Sequence, residues 1–256
     1  MKVLGIDTST SCGSVGFIDN QELIADYLLN ISVTHSERLL GAIEWVLNQA
    51  RCDIKNIDGL AISLGPGSFT GLRIGISTIK GLAFATGIPV VGVSTLDVLA
   101  SQIAPTPYLI CPILDARKQE VYAAFYRYQQ RNTLKRISPY QAIRPEDLVK
   151  NIKEETIFLG NGVKTYKNSL QSSLSSFAIF SPTCLHFCHG SMVAELGSDL
   201  LREGKTLDLA TLVPIYIRPS EAEKKWQETY PDCNPPSFGY KTGPAGMLEK
   251  ILEGEP

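Results

Sequence analysis

The chain has 256 residues, 44% of them hydrophobic and 20% charged, enough to bury one large core or two smaller ones. Lysine plus arginine number 24 against 26 aspartate plus glutamate, and a net charge of −2 excludes the basic footprint of a protein that grips nucleic acid unaided. No charged segment followed by an apolar one opens the chain, no apolar run is long enough to span a bilayer, and the six scattered cysteines are expected as reduced thiols of a cytoplasmic protein.

Residues 3–7 form an apolar run that reads as a buried strand and ends in Asp7-Thr8-Ser9-Thr10. Residues 13–19 and 23–29 read as two further strands, with a turn at 19–21 between them. Thr34-His-Ser-Glu37 has the spacing of a capping box, with Thr34 as the N-cap of a helix running to about residue 50. Leu39, Leu40, Ile43, Val46, Leu47 and Ala50 fall on its buried side, and Arg38, Glu44, Trp45 and Gln49 lie away from it. Trp45 is either a contact surface or a ring folded back over the helix edge.

Residues 59–64 are an apolar strand leading into GPGSFTGLRIGISTIKG, residues 65–81, on which the chain is centred. A helix is expected over residues 70–85. A glycine loop feeding a helix start can cradle an anion, but the Lys-Ser/Thr ending of a Walker A loop is absent and Arg73 lies a turn inside the helix. On the helical wheel Gly71, Gly75, Thr78, Leu82 and Ala85 share one face, Leu72, Ile76, Ile79 and Ala83 another, and Arg73, Ser77 and Lys80 a polar stripe. Each interior glycine costs roughly 1 kcal/mol relative to alanine. Two explanations are open: the small face packs on the chain's own sheet, or it meets another protein, in which case a bulky residue at Gly75 blocks the contact. Residues 89–93 then read as a strand, 95–103 as a short helix, and Pro105-Thr-Pro107 as a boundary.

The second half repeats the plan. Residues 108–114 are a strand ending in Asp115, 121–128 a second strand, and 134–138 a third. Residues 145–152 read as helix, 156–159 and 177–180 as strands, and 191–202 as helix. From Glu228 the chain is rich in proline, glycine and polar residues and reads as a poorly ordered tail. The doubled pattern suggests two ribonuclease-H-like domains with a cleft between them.

Asp7 and Asp115 could face one another across that cleft and hold a metal–nucleotide complex, since strand-end carboxylates bind hydrated magnesium; equally, each could cap a turn. His35 sits beside a helix cap, where structural histidines are common. Cys184-Leu-His-Phe-Cys-His189 gathers metal-binding residue types, but four ligands within six residues strain one tetrahedral ion and no second cluster completes a structural zinc site. No Gly-x-Ser-x-Gly elbow, His-Glu-x-x-His or Cys-x-x-Cys is present, so no complete catalytic constellation is offered, a peptidase's included.

Residues 1–10 (MKVLGIDTST), 35–40 (HSERLL), 65–81, 92–96 (GVSTL), 115–122 (DARKQEVY) and 214–223 (PIYIRPSEAE) resemble the TsaB (YeaZ) family. The resemblance covers residues 1 to about 226. It implies an α/β fold of two ribonuclease-H-like domains of the actin-like/Hsp70-like (ASKHA) superfamily, over residues 1–105 and 106–226, with 227–256 as the tail. It also implies a non-catalytic dimerisation and activator subunit for tRNA N6-threonylcarbamoyladenosine biosynthesis. Such a subunit binds TsaD, helps dock the ATPase TsaE, pairs as a homodimer without TsaD, and reaches tRNA only through the complex. The threonylcarbamoyl-adenylate comes from TsaC or a relative. TsaD binds its metal through His-x-x-x-His after the strand matching 89–93, and Thr95 and Leu99 stand at those places here; neither replaces an imidazole on a transition metal. By the same resemblance the partner-binding residues are His35, Arg38, Leu39, Trp45, Phe69, Thr70, Gly71, Arg73, Ile74, Gly75, Thr78 and Leu82. No cofactor is required; Asp7, Thr8 and Ser9 are the candidate residues should ATP or ADP with magnesium bind. The rival reading is a nucleotide-dependent phosphotransferase of the same fold using Asp7 and Asp115. The segment 184–189 and the chain after Trp226 have no counterpart in the resemblance.

Overall fold

The computed structural model describes residues 1–31, 34–218, 226, 229 and 230. The first sheet starts as a meander of β1 (Lys2–Asp7), β2 (Gly13–Asp19) and β3 (Glu22–Leu29). Helix α1 (His35–Gln49) follows, then β4 (Gly59–Gly65), α2 (Phe69–Thr86), β5 (Val90–Ser94) and α3 (Thr95–Ser101). The strand order is β3-β2-β1-β4-β5, with β4 and β5 parallel to β1. Because helices cover both faces, β4 is buried along its whole length, which is why its sequence is continuously apolar rather than alternating.

The second sheet repeats this order with β6 (Leu109–Asp115), β7 (Val121–Ala123), β10 (Gln141–Ile143), β11 (Thr156–Leu159) and β12 (Ala178–Phe180), arranged β10-β7-β6-β11-β12. Strands β8 (Tyr126–Tyr128) and β9 (Leu134–Arg136) form an additional hairpin, with β8 paired to β6 at Ile110. Helix α4 (Pro145–Leu148) precedes β11, α5 (Gly162–Leu174) lies between β11 and β12, and α6 (Gly190–Arg202) closes the set. Two sheets that share one five-strand order, the second with the β8–β9 hairpin added, make this the doubled ribonuclease-H-like plan of the actin-like superfamily.

Several sequence expectations are corrected. The single strand over 121–128 is two, because the Phe125 amide leaves the ladder to donate to the Ser138 hydroxyl at 2.8 Å. The third strand of the repeat is β10 and not residues 134–138, which belong to the extra hairpin. The helix over 145–152 is one α-helical turn continued as a 3-10 turn, Val149–Asn151. Helix α5 was not anticipated at all; among its residues only Gly162, Val163, Leu170 and Leu174 are buried, too few to announce a helical period. The capping box is formed in part: Thr34 occupies the N-cap, but its hydroxyl donates to the Glu37 carboxylate at 2.7 Å rather than accepting a backbone amide. Apart from Thr229 and Tyr230, the expected tail 227–256 lies outside the described residues.

Helix α6 follows the second sheet in the chain yet packs on the first, against β1, β2, β4 and β5. Glycine allows this. A Cβ at Gly16 would fall on the Ser191 amide, and one at Gly5 on the Gly190 carbonyl, so helix and sheet approach backbone to backbone. Helices α1 and α2 pack side by side on the opposite face.

Candidate functional site

At the end of β1 the chain turns under α2. Asp7, Thr8 and Ser9 are all buried. The Ser68 amide donates to the Ser9 carbonyl at 2.6 Å, drawing the loop before α2 over this turn. A Cβ at Gly71 would strike the Thr8 carbonyl, and one at Gly75 the Thr8 hydroxyl. The two helix glycines are therefore explained by the chain's own β1 turn. That corrects the expectation that they face another protein, and Gly75→Trp would disrupt the fold itself. Helix α2 is nonetheless well delimited: Ser68 accepts the Gly71 amide at 3.3 Å, and Gly87, at φ 75°, ends it in the left-handed region.

Burial pushes the Asp7 carboxyl up to about 6, against the opposing pull of the Ser9 and Ser63 hydroxyls and the Ser9 backbone. Those hydroxyls and one Asp7 oxygen are buried without a well-formed hydrogen bond. The three residues expected to hold a nucleotide thus present no open surface to one. Asp115 is arranged differently. Its carboxylate accepts the Arg117 amide at 2.8 Å, and its own amide donates to the Asn161 side chain at 3.0 Å, which is the turn-capping role. Thr95 and Leu99 are buried and carry no metal-binding atom beyond one hydroxyl.

The residues of the 184–189 segment separate rather than converge. The Cys188 thiol is buried and donates to the Thr95 carbonyl at 3.5 Å; His189 pairs through Nδ1 with Asp26 at 2.6 Å; Cys184 is exposed. Asp26 also accepts the Ser191 amide at 3.1 Å, so it caps α6 while holding His189.

The α1–α2 face divides into supports and exposed groups. The His35 ring donates from Nε2 to the Thr10 carbonyl at 2.7 Å, and burial lowers its pKa. Arg38 donates to the Leu29 and Ser11 carbonyls at 3.0 and 2.7 Å. Both residues fasten the β1–β2 turn to α1. Leu39, Gly71 and Gly75 are buried. Thr70 is exposed, while Arg73, Ile74, Thr78 and Leu82 are half-buried along α2. Phe69 stacks on Tyr216 at 4.5 Å, with the Arg73 guanidinium 3.9 Å above its ring. The Trp45 ring lies 5.5 Å from Tyr27, folded back over the helix edge, and 49% of the residue stays exposed. Leu40, expected on the buried side of α1, instead stands 59% exposed, and Phe84, which the sequence reading does not single out, is 87% exposed. A signal for Phe84 exists: Lys80 and Gly81, four and three residues before it, mark a solvent-facing stripe that no large aromatic needs.

Residues 30–226 match the family model described as "TsaD: tRNA N6-adenosine threonylcarbamoyltransferase", which is more than half the chain. A Bacillus subtilis protein named tRNA threonylcarbamoyladenosine biosynthesis protein TsaB is 32% identical over 232 residues, 90% of this chain and 99% of its own length. The chain belongs to the TsaB family. An Escherichia coli TsaB is 28% identical, covering 88% of this chain and 98% of its own length. The crystallised YeaZ of Pseudomonas aeruginosa superposes with a TM-score of 0.72 at 27% identity, covering 84% of this chain and 99% of that one. The TsaB relatives are named for threonylcarbamoyladenosine biosynthesis in tRNA, and family membership puts this chain in that pathway.

Proposed function

We propose that the chain is a cytoplasmic, non-catalytic partner subunit of this pathway, presenting the α1–α2 face to TsaD and, without TsaD, to a second copy of itself. The observation that carries the reading is the apolar surface left uncovered on two adjacent helices, Leu40, Trp45 and Phe84, beside a β1 turn whose Asp7, Thr8 and Ser9 are buried. TsaE docks on the assembled pair, and tRNA is engaged through the complex. His35 and Arg38 act from beneath, holding the turn that seats α1, while Thr70, Arg73, Ile74, Thr78 and Leu82 line the contact.

Co-purification with the cognate TsaD and mass measurement by size exclusion test this. Phe84→Glu and Leu40→Glu lie where no core contact is lost, and each is expected to weaken the complex by about 2 kcal/mol, roughly 30-fold. A complex formed by the double variant as tightly as by the native chain would place the interface elsewhere. For the nucleotide, titration of the isolated chain with ATP–Mg²⁺ is expected to give no micromolar binding. Such binding, abolished in Asp7→Ala, would instead support the phosphotransferase reading.

A further inference from the structure

The second sheet departs from the repeat in one place, the β8–β9 hairpin inserted between β7 and β10. That insertion reaches back to α3, the helix leading out of the first sheet. The Tyr126 hydroxyl, on β8, donates to the Asp97 carboxylate at 2.6 Å. The Tyr140 hydroxyl, just after the hairpin, reaches the same carboxylate at 2.7 Å. Both tyrosines are buried. Arg136, on β9, lays its guanidinium 4.1 Å over the Tyr140 ring and donates to the Ser138 carbonyl at 3.0 Å, so the tyrosine is fixed from behind. At the far end of α3, the Tyr128 hydroxyl donates to the Ile103 carbonyl at 2.6 Å. Gln102 adds two bonds, from its amide to the Leu185 carbonyl at 3.3 Å and from the His189 amide to its side-chain oxygen at 2.9 Å.

Both ends of α3 are thus held by residues from beyond the Pro105–Pro107 boundary. Proteins that close two domains around a ligand do so about hinges, where a few loop residues absorb the rotation and little else crosses. Here a half-buried carboxylate shared by two tyrosines spans the junction, and any rotation would strip it of partners in a dry setting. We propose that the β8–β9 hairpin and Tyr140 form a strut that fixes the angle between the two sheet units, so that they make a rigid frame and do not close on nucleotide.

The test uses the full chain with spin labels at Glu195 on α6 and Ser172 on α5, both exposed, in a background with Cys52, Cys184 and Cys233 changed to serine. Labelled protein is diluted into unlabelled protein, so that only distances within one chain are read by double electron–electron resonance. One narrow distance is expected, unchanged by ATP–Mg²⁺, and the combination Tyr126→Phe, Tyr128→Phe and Tyr140→Phe is expected to broaden it. A native distribution that is broad, or that moves on adding ATP–Mg²⁺, overturns the proposal, as does a narrow one retained in the triple variant. Asp97→Asn serves where the triple variant fails to fold, with the same broadening expected. No partner protein enters the measurement, so its outcome is independent of the TsaD assignment.

Discussion

On α2, Gly75 and Gly81 are expected to respond to the same substitution in opposite directions. A methyl at Gly75 would press on the Thr8 hydroxyl and on Ile62, so Gly75→Ala is expected to destabilise by about 1–3 kcal/mol. Among the described residues nothing lies within 4 Å of a Cβ at Gly81, and Gly81→Ala is expected to stabilise by about 0.5–1 kcal/mol through helix propensity. Thermal unfolding of the two variants separates the cases; equal effects would contradict the packing of Thr8 under α2. Asp7 sets a pH dependence. Its carboxyl is raised from 3.8 to about 6, so the folded chain holds a proton that the unfolded chain has lost between those values. Stability therefore falls as pH rises from about 4 to 6 and carries a penalty of about 3 kcal/mol above that range. Asp7→Asn is expected to raise the melting temperature at pH 7.5 and leave it unchanged near pH 4. For His189 the sign differs: Asp26 raises its pKa above 6.5, so the pair is fully stabilising below that value and weakens as pH climbs through the raised one. The melting temperatures of the native chain and Asp26→Asn should accordingly lie further apart at pH 6 than at pH 9.

Among the elements, α6 rests on side chains that are missing. Because a Cβ at Gly16 would overlap the Ser191 amide, Gly16→Ala is expected to prevent native packing of α6, measured as loss of the cooperative thermal transition. Nothing in the sequence reveals that partnership, since residues 16 and 191 are linked only through the tertiary fold. What the sequence does reveal is local or periodic. Strands β2 and β11 are legible to the residue, and β1, β4 and α2 to within one, because apolar runs and a helical period act within a few positions. Strand β10 is only three residues long and half-buried, and so escaped, as did α5 with its polar surface. At the candidate site the element was right and part of the explanation wrong. The wheel located the two glycines on one face, but a wheel does not say whether the backbone opposite belongs to the same chain.

For the whole molecule, the duplication was legible as a rhythm of strands each opened by an aspartate-ended one, and both sheets keep one order. The route of α6 was not, and it changes what the first unit is. Residues 1–105 build a five-stranded sheet, yet one face of it is completed only by residues 190–202. During synthesis the ribosome has to add a whole second sheet before that covering helix emerges. Until then Val3, Ala61 and Val91 have no lid, and the nascent N-terminal half exposes one face of its sheet. A gene fragment ending near Pro105 should accordingly yield aggregated protein, and co-expression of a fragment carrying residues 106–218 should restore solubility.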